Sequence, residues 1–279
     1  MKNQIYPCLW FDGKAKDAAE LYCSIFKNSK IITDTPMVVN FEIEGQKIMV
    51  LNGGPEFTIN PSISFFVTCE DDKEIEYLWK ALSKDGSVLM ELNTYPWSEK
   101  YGWCADKFGM TWQIFKGKLS DVKQKIVPLF LFSHHQYGNA ESAIKFYTSI
   151  FKNSNIENIL HYGKDDAQAE GKVMHAQFRL QEKVFMAMDG PGDHTFDFNE
   201  AVSFVIPCDT QEEIDYYWNA LTKGGQESMC GWLKDKFGVS WQVVPTILSE
   251  LMSDPKRAPK VVQAFLQMKK FDIEKLKQE

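Results

Sequence analysis

A chain of 279 residues has room for one large domain or two ordinary ones. With 44% apolar and 14% aromatic residues it can fill a packed core, which argues against disorder. A formal charge of −7 argues against nucleic acid as the main partner, because gripping phosphates takes a surplus of Lys and Arg. The start, Met1 to Tyr6, runs into a strand-like segment without an apolar signal core, and no apolar run approaches the roughly 20 residues needed to cross a bilayer. A cytoplasmic protein without a membrane partner is therefore expected. Six scattered cysteines with no Cys-x-x-Cys pair fit reduced thiols better than disulfides or a zinc site.

In chain order, residues 7–11 form a short aromatic-rich apolar run ended by Asp12-Gly13, which predicts a strand and a turn. Residues 15–26 carry Ala18, Leu21, Tyr22 and Ile25 at helical spacing. Two hairpin strands are predicted at 38–43 and 47–51, turning at Glu44-Gly45-Gln46, before Asn52-Gly53-Gly54-Pro55 breaks the pattern. A strand at 62–68 and a helix at 72–84 follow, with Asp71 or Asp72 as N-cap. An extended stretch near 88–92 and a strand at 110–115 complete the set. Lys116, Lys118, Lys123 and Lys125 lie among polar and acidic residues and read as a solvated connector.

Beyond the connector the pattern starts again. Tyr22 to Ile31 returns as Tyr147 to Ile156, Ile63 to Val67 as Val202 to Ile206, and the helix bearing Tyr77 and Trp79 as that bearing Tyr216 and Trp218. The block Gly102 to Gln113, with its Asp-Lys-Phe-Gly core, returns as Gly231 to Gln242. Four blocks in one order mean a duplication. The period is too long for a solenoid, so each copy is expected to be a domain: 1–118, a linker at 119–126, and 127–279 with a C-terminal helical tail. Each copy holds two strand–helix–strand–strand–strand modules. The fold class is α+β, with four βαβββ modules and cupped mixed sheets, helices on the convex side and an open concave side. Trp79, Trp112, Trp218 and Trp241 fall on apolar core positions. The first copy has an insertion, 93–100, that reads as an aromatic lid carrying Trp97, and the copy that carries it is expected to keep the functional pocket.

Asp235 to Val244, the helix end Lys145-Phe146-Tyr147, the run Phe185 to Pro191 and the tail Ala264 to Asp272 resemble the PhnB-like branch of the vicinal oxygen chelate superfamily, the glyoxalase/bleomycin resistance/dioxygenase fold. Its members are often labelled as of demethylubiquinone methyltransferase type. In the metal-dependent relatives the resemblance implies His or Glu ligands at four strand positions. Here those fall near Pro7, Met49, Ser64 and Gln113, and near Pro128, Met186, Ser203 and Gln242. Proline, thioether, hydroxyl and amide are poor ligands for a divalent ion, so the usual metal site is expected to be absent.

The methyltransferase label has no glycine-rich cofactor turn after the first strand to support it. His134 and His135 are neighbours that on an extended chain point apart, and His161, His175 and His194 stand alone. The expectation is a small organic ligand held without metal or other cofactor by Met49, Ser64, Trp97, Gln113, Met186, Ser203 and Gln242. Gln113 and Gln242 either orient that ligand or satisfy polar neighbours in a filled core. An enzyme, whether lyase, isomerase or methyltransferase, is the alternative. The two copies are expected to act as an internal pseudo-dimer that can be monomeric.

Overall fold

The computed structural model describes residues 4–166 and 169–279, so Met1–Asn3 of the N-terminal reading lie outside the described residues. The chain divides into two compact units. The larger is Pro7–Val202, and the smaller joins Ser203–Glu279 to the N-terminal residues up to Tyr6.

The larger unit holds three modules. The first is β1 (Tyr6–Phe11), α1 (Ala15–Ile25), β2 (Ser29–Asp34), β3 (Val38–Ile43) and β4 (Gln46–Asn52). The second is β5 (Ile63–Cys69), α2 (Asp72–Leu82), β6 (Ser87–Tyr95), β7 (Ser98–Ala105) and β8 (Thr111–Lys116). A short α3 (Leu119–Val122) leads to the third: β9 (Ile126–Phe132), α4 (Ala140–Ile150), β10 (Asn155–His161), β11 (Val173–Leu180) and β12 (Lys183–Asp189). The smaller unit carries the fourth module, β13 (Val202–Cys208), α5 (Gln211–Thr222), β14 (Gln226–Glu227), β15 (Trp232–Lys234) and β16 (Ser240–Pro245). It ends in a tail of three short helices, α6 (Ile247–Ser253), α7 (Ala258–Phe265) and α8 (Ile273–Gln278). This is the four-module α+β architecture expected from the repeat.

The local signals have direct causes. Ala15, Ala18, Ala19, Tyr22 and Ile25 make one buried stripe on α1. Asp71 caps α2 by accepting from the Lys73 N–H at 3.0 Å, and Thr210 caps α5 by accepting from Glu213. The strands β2 and β10 are largely exposed and show no in/out alternation, so sequence pattern does not reveal them.

Strand pairing regroups the modules. One eight-stranded sheet runs β10–β11–β12–β9–β5–β8–β7–β6, so the second module pairs with the third. Its central step is the antiparallel pair β5–β9, with Ser64 opposite Leu129 and Phe66 opposite Val127. The parallel pairs β5–β8 and β9–β12 flank it. The 119–126 stretch expected as a linker thus joins two strands of one sheet, inside the larger unit. The larger unit holds β1 to β4 beside the eight strands of this sheet. The two copies also clasp each other reciprocally within this unit: Asn60 donates to the Asp197 carbonyl at 3.0 Å and Asn199 to the Thr58 carbonyl at 2.9 Å.

The core of the first copy is organised by Asp106, which is 3% exposed. Its Oδ1 accepts from the N–H groups of Phe108 and Met110, and its Oδ2 accepts from Trp112 Nε1 and the Tyr22 hydroxyl, both at 2.8 Å. Burial pushes the Asp106 carboxyl up, and these bonds pull against that rise. Trp112 is wholly buried, 5.2 Å from the Tyr22 ring and 5.6 Å from that of Phe26, so α1 and β8 lock together. Gly109 closes the turn at φ 87°, a conformation that suits glycine. The repeat reproduces the device: Asp235 accepts from Phe237, Val239 and Trp241 Nε1, and Gly238 has φ 86°. Trp241 and Trp218 are buried as expected, whereas Trp79 is only partly covered. No disulfide forms among the described residues, and Cys8, Cys69, Cys104 and Cys208 are buried.

Removing a carboxylate with this many donors strands each of them, at about 1–3 kcal/mol per buried group. Asp106→Ala should lower unfolding stability in urea by at least about 3 kcal/mol, with Asp106→Asn intermediate. Equal urea midpoints for wild type and Asp106→Ala would contradict this organising role.

Candidate functional site

One face of the eight-stranded sheet gathers the residues of interest, because residues opposite one another on paired strands project to the same side. Ser64 stands opposite Leu129, the other neighbour of Leu129 is Met186 on β12, and Met186 stands opposite Gln177 on β11.

 Leu129 therefore lies between Ser64 and Met186 in one cross-strand row. On the other side of β5, Gln113 of β8 stands beside Phe66 and opposite Trp103 of β7. The apolar part of the face is Phe66, Val127, Leu129, Leu131, Val184 and Met186, with Met90, Trp103, Phe115 and Phe196 packed against it.

A polar line crosses this apolar surface. The Tyr101 hydroxyl donates to Gln113 Oε1 at 2.9 Å, and Gln113 Nε2 donates to Ser64 Oγ at 2.8 Å. Ser64 is 0% and Gln113 4% exposed, so the line is shielded from water. Beside it the Trp103 indole N–H is buried and has no hydrogen-bond partner among the described residues. Farther along the face, Glu157 accepts from Gln177 Nε2 and Arg179 Nε, while Arg179 Nη2 also lacks a partner among the described residues. Burial would raise the Glu157 carboxyl, but these two donors outweigh it and hold the group below its usual range.

The seven residues expected to bind a ligand are distributed unevenly. Ser64, Gln113 and Met186 share this face, although Met186 comes from the other copy. Met49 sits half-buried on β4, opposite Asn40 of β3 and beside Cys8 of β1, in a separate run of strands, β1–β4–β3–β2. Ser203 and Gln242 lie in the smaller unit, where Gln242 Nε2 donates to Ser203 Oγ at 3.0 Å and repeats one step of the polar line. Where the first copy has Tyr101, the second has Cys230. Both glutamines thus engage polar neighbours, one of the two roles left open by sequence.

The insertion expected as a lid loop is a β-hairpin: Tyr95 pairs with Ser98, and Pro96-Trp97 make the turn. Trp97, 60% exposed, stacks on Tyr95 with ring centroids 5.1 Å apart. Tyr101, which reads by sequence as the end of the lid segment, and Trp103 both lie on β7. They alternate on β7, which was not separated from the insertion, so their shared face went unseen.

The histidine pair also departs from expectation. His134 and His135 occupy a 3₁₀ turn, His134–Gln136, with φ 47° at His134. That left-handed residue abolishes the extended geometry that would separate the rings. Both Nδ1 atoms approach Asp197 Oδ2, at 2.8 and 2.7 Å. A surface recess of about 610 Å³ lies elsewhere, lined by Trp10, Asp12, Phe57, Lys107 and Phe108 among others, and contains none of the seven expected residues.

This architecture is shared with known proteins. Glyoxalase I from Zea mays aligns over 91% of this chain and 97% of its own, with a TM-score of 0.58 at 13% identity, a likeness of fold. The modules and that alignment define a glyoxalase-like, vicinal oxygen chelate fold. The chain belongs to the family described as 3-demethylubiquinone-9 3-methyltransferase, whose profile matches residues 3–115 and 124–244, once per copy. The PhnB protein from Bacillus cereus is 34% identical over 40% of this chain and 98% of its own, with a TM-score of 0.38. No curated protein matches the sequence. No helix among the described residues is long and apolar enough to cross a membrane.

Gln113→Leu strands the Tyr101 hydroxyl and should cost about 1–3 kcal/mol of unfolding stability. Adding Tyr101→Phe removes the stranded group, so the double variant should regain part of that loss in a urea-denaturation cycle. Strict additivity would show that the two side chains do not act as a pair.

Proposed function

We propose that the face bearing Ser64, Gln113 and Met186 binds a small, uncharged, partly aromatic organic molecule without a metal ion. The observation that carries this reading is the Trp103 indole N–H, a buried donor without a partner among the described residues, beside a formed polar line. Buried donors are rarely left unsatisfied, and functional sites are a recurrent reason for the exceptions. A carbonyl or ether oxygen on a guest would satisfy it, while Met90, Met186, Phe66 and Phe115 offer apolar and aromatic contact. The hairpin tip at Trp97, whose ring lies against Tyr95 and Tyr101, would cover the guest.

A divalent ion does not fit this face. Both polar atoms of the Gln113 amide are already engaged, by Tyr101 and Ser64, and the Met186 thioether is a soft, neutral donor. The same reading keeps the protein cytoplasmic and monomeric, its two copies standing in for two subunits, with no nucleic-acid partner.

The family description favours a second reading, methyl transfer to a quinol-like substrate. Calorimetry separates the two, because a methyltransferase of this kind must bind S-adenosylmethionine. For the leading reading, a short-chain 1,4-benzoquinone is a suitable probe, having carbonyl acceptors on an apolar ring. Its quenching of tryptophan fluorescence should saturate, and Trp103→Phe should weaken binding about tenfold, the worth of one hydrogen bond near 1.4 kcal/mol. Phe57→Ala, in the separate recess, should leave the affinity unchanged. The reverse pattern would move the site to the recess and sink the proposal.

A further inference from the structure

Away from the sheet face, three potential metal ligands meet at the loop after β9. His134 Nδ1 and His135 Nδ1 each lie within 2.8 Å of Asp197 Oδ2, and the three donor atoms are all within 4.8 Å of one another. The imidazole rings stand 3.8 Å apart between centroids at 70°, presenting two nitrogens to one point instead of stacking.

The supports of this cluster do not depend on the rings. Ser133 Oγ donates to the Phe196 carbonyl at 3.1 Å, and Asn60 Nδ2 donates to the Asp197 carbonyl at 3.0 Å. The His135 N–H donates to Asp197 Oδ1 at 3.2 Å, which orients the carboxylate and leaves Oδ2 to the imidazoles. The turn and the 196–197 segment are therefore held together before any ion arrives. His134 and His135 are 39% and 74% exposed at their side chains, so water can complete a coordination shell.

We propose that His134, His135 and Asp197 form a surface site for a first-row divalent transition-metal ion, with Zn²⁺ as the reference case. Two imidazoles and one carboxylate suit this class of ion better than Mg²⁺ or Ca²⁺, which prefer all-oxygen shells. Ligands held about 2.0–2.1 Å from an ion in adjacent positions sit about 3 Å apart, so the observed contacts need only a slight outward movement. With neutral rings, each Nδ1 proton moves to Nε2 of its own imidazole by exchange with water, and no net proton is released. A bound ion pins the 133–136 turn to the segment carrying Phe196, which packs on the apolar cluster of the sheet face. The site uses none of the residues proposed to bind the organic ligand and stands whether or not that reading holds.

The test uses the full chain without an affinity tag. Zn²⁺ calorimetry should show a micromolar site that His134→Ala and His135→Ala each weaken at least tenfold, as should Asp197→Asn. His161→Ala removes another surface imidazole, paired with Glu141, and should leave that site intact. Cu²⁺ electron paramagnetic resonance on the wild type should register two nitrogen ligands, a readout independent of how the variants fold. Zn²⁺ binding weaker than millimolar in the wild type, undiminished binding in the double histidine variant, or a copper signal without two nitrogens would each overturn the proposal.

Discussion

A carboxylate withdrawn from water must be met by donors, and the placing of Asp106 meets that demand with groups from three parts of the chain. Two come from its own turn, one from β8 and one from α1, so satisfying a single charge fixes the turn, the strand and the helix together. The helix cannot slide along β8 without breaking the Tyr22 bond, and β8 cannot shift register without withdrawing Trp112. The face on the far side of the sheet inherits its alignment from this arrangement, because Gln113 follows Trp112 and projects the other way.

The same chemistry explains why the repeat was so legible. Asp-Lys-Phe-Gly followed by Trp-Gln recurs because each element has a separate duty: acceptor, glycine turn, buried indole and opposite-face amide. Helices were readable for comparable reasons, with a stripe of small residues on α1 and a capping Asp71 on α2. The strands β2 and β10 escaped because edge strands bathed in water have no apolar partner to impose alternation. Strand pairing escaped for a deeper reason. Alternation tells which face of a strand is buried but not which strand lies beside it, and the β5–β9 pairing joins residues far apart in the chain.

The candidate face was legible to the same partial degree. Ser64, Gln113 and Met186 were identifiable from strand position, but grouping them by copy separated Met186 from the other two. The shared face of Tyr101 and Trp103 stayed hidden because the insertion read as a loop, whereas Thr94, Tyr95 and Glu99 tie it into a hairpin continuous with β7. His134 and His135 show the complementary failure. Adjacency on an extended strand implies divergence, and one residue at φ 47° reverses that implication.

Joining the second module to the third in one sheet has an evolutionary consequence. In an assembly of identical subunits, every substitution is made at all equivalent positions at once, so paired surfaces must change together. Here each copy is encoded separately, and the matching place holds Tyr101 in one copy and Cys230 in the other. The eight-stranded face can specialise while its duplicate drifts, and the fused chain holds both lineages in one fixed ratio.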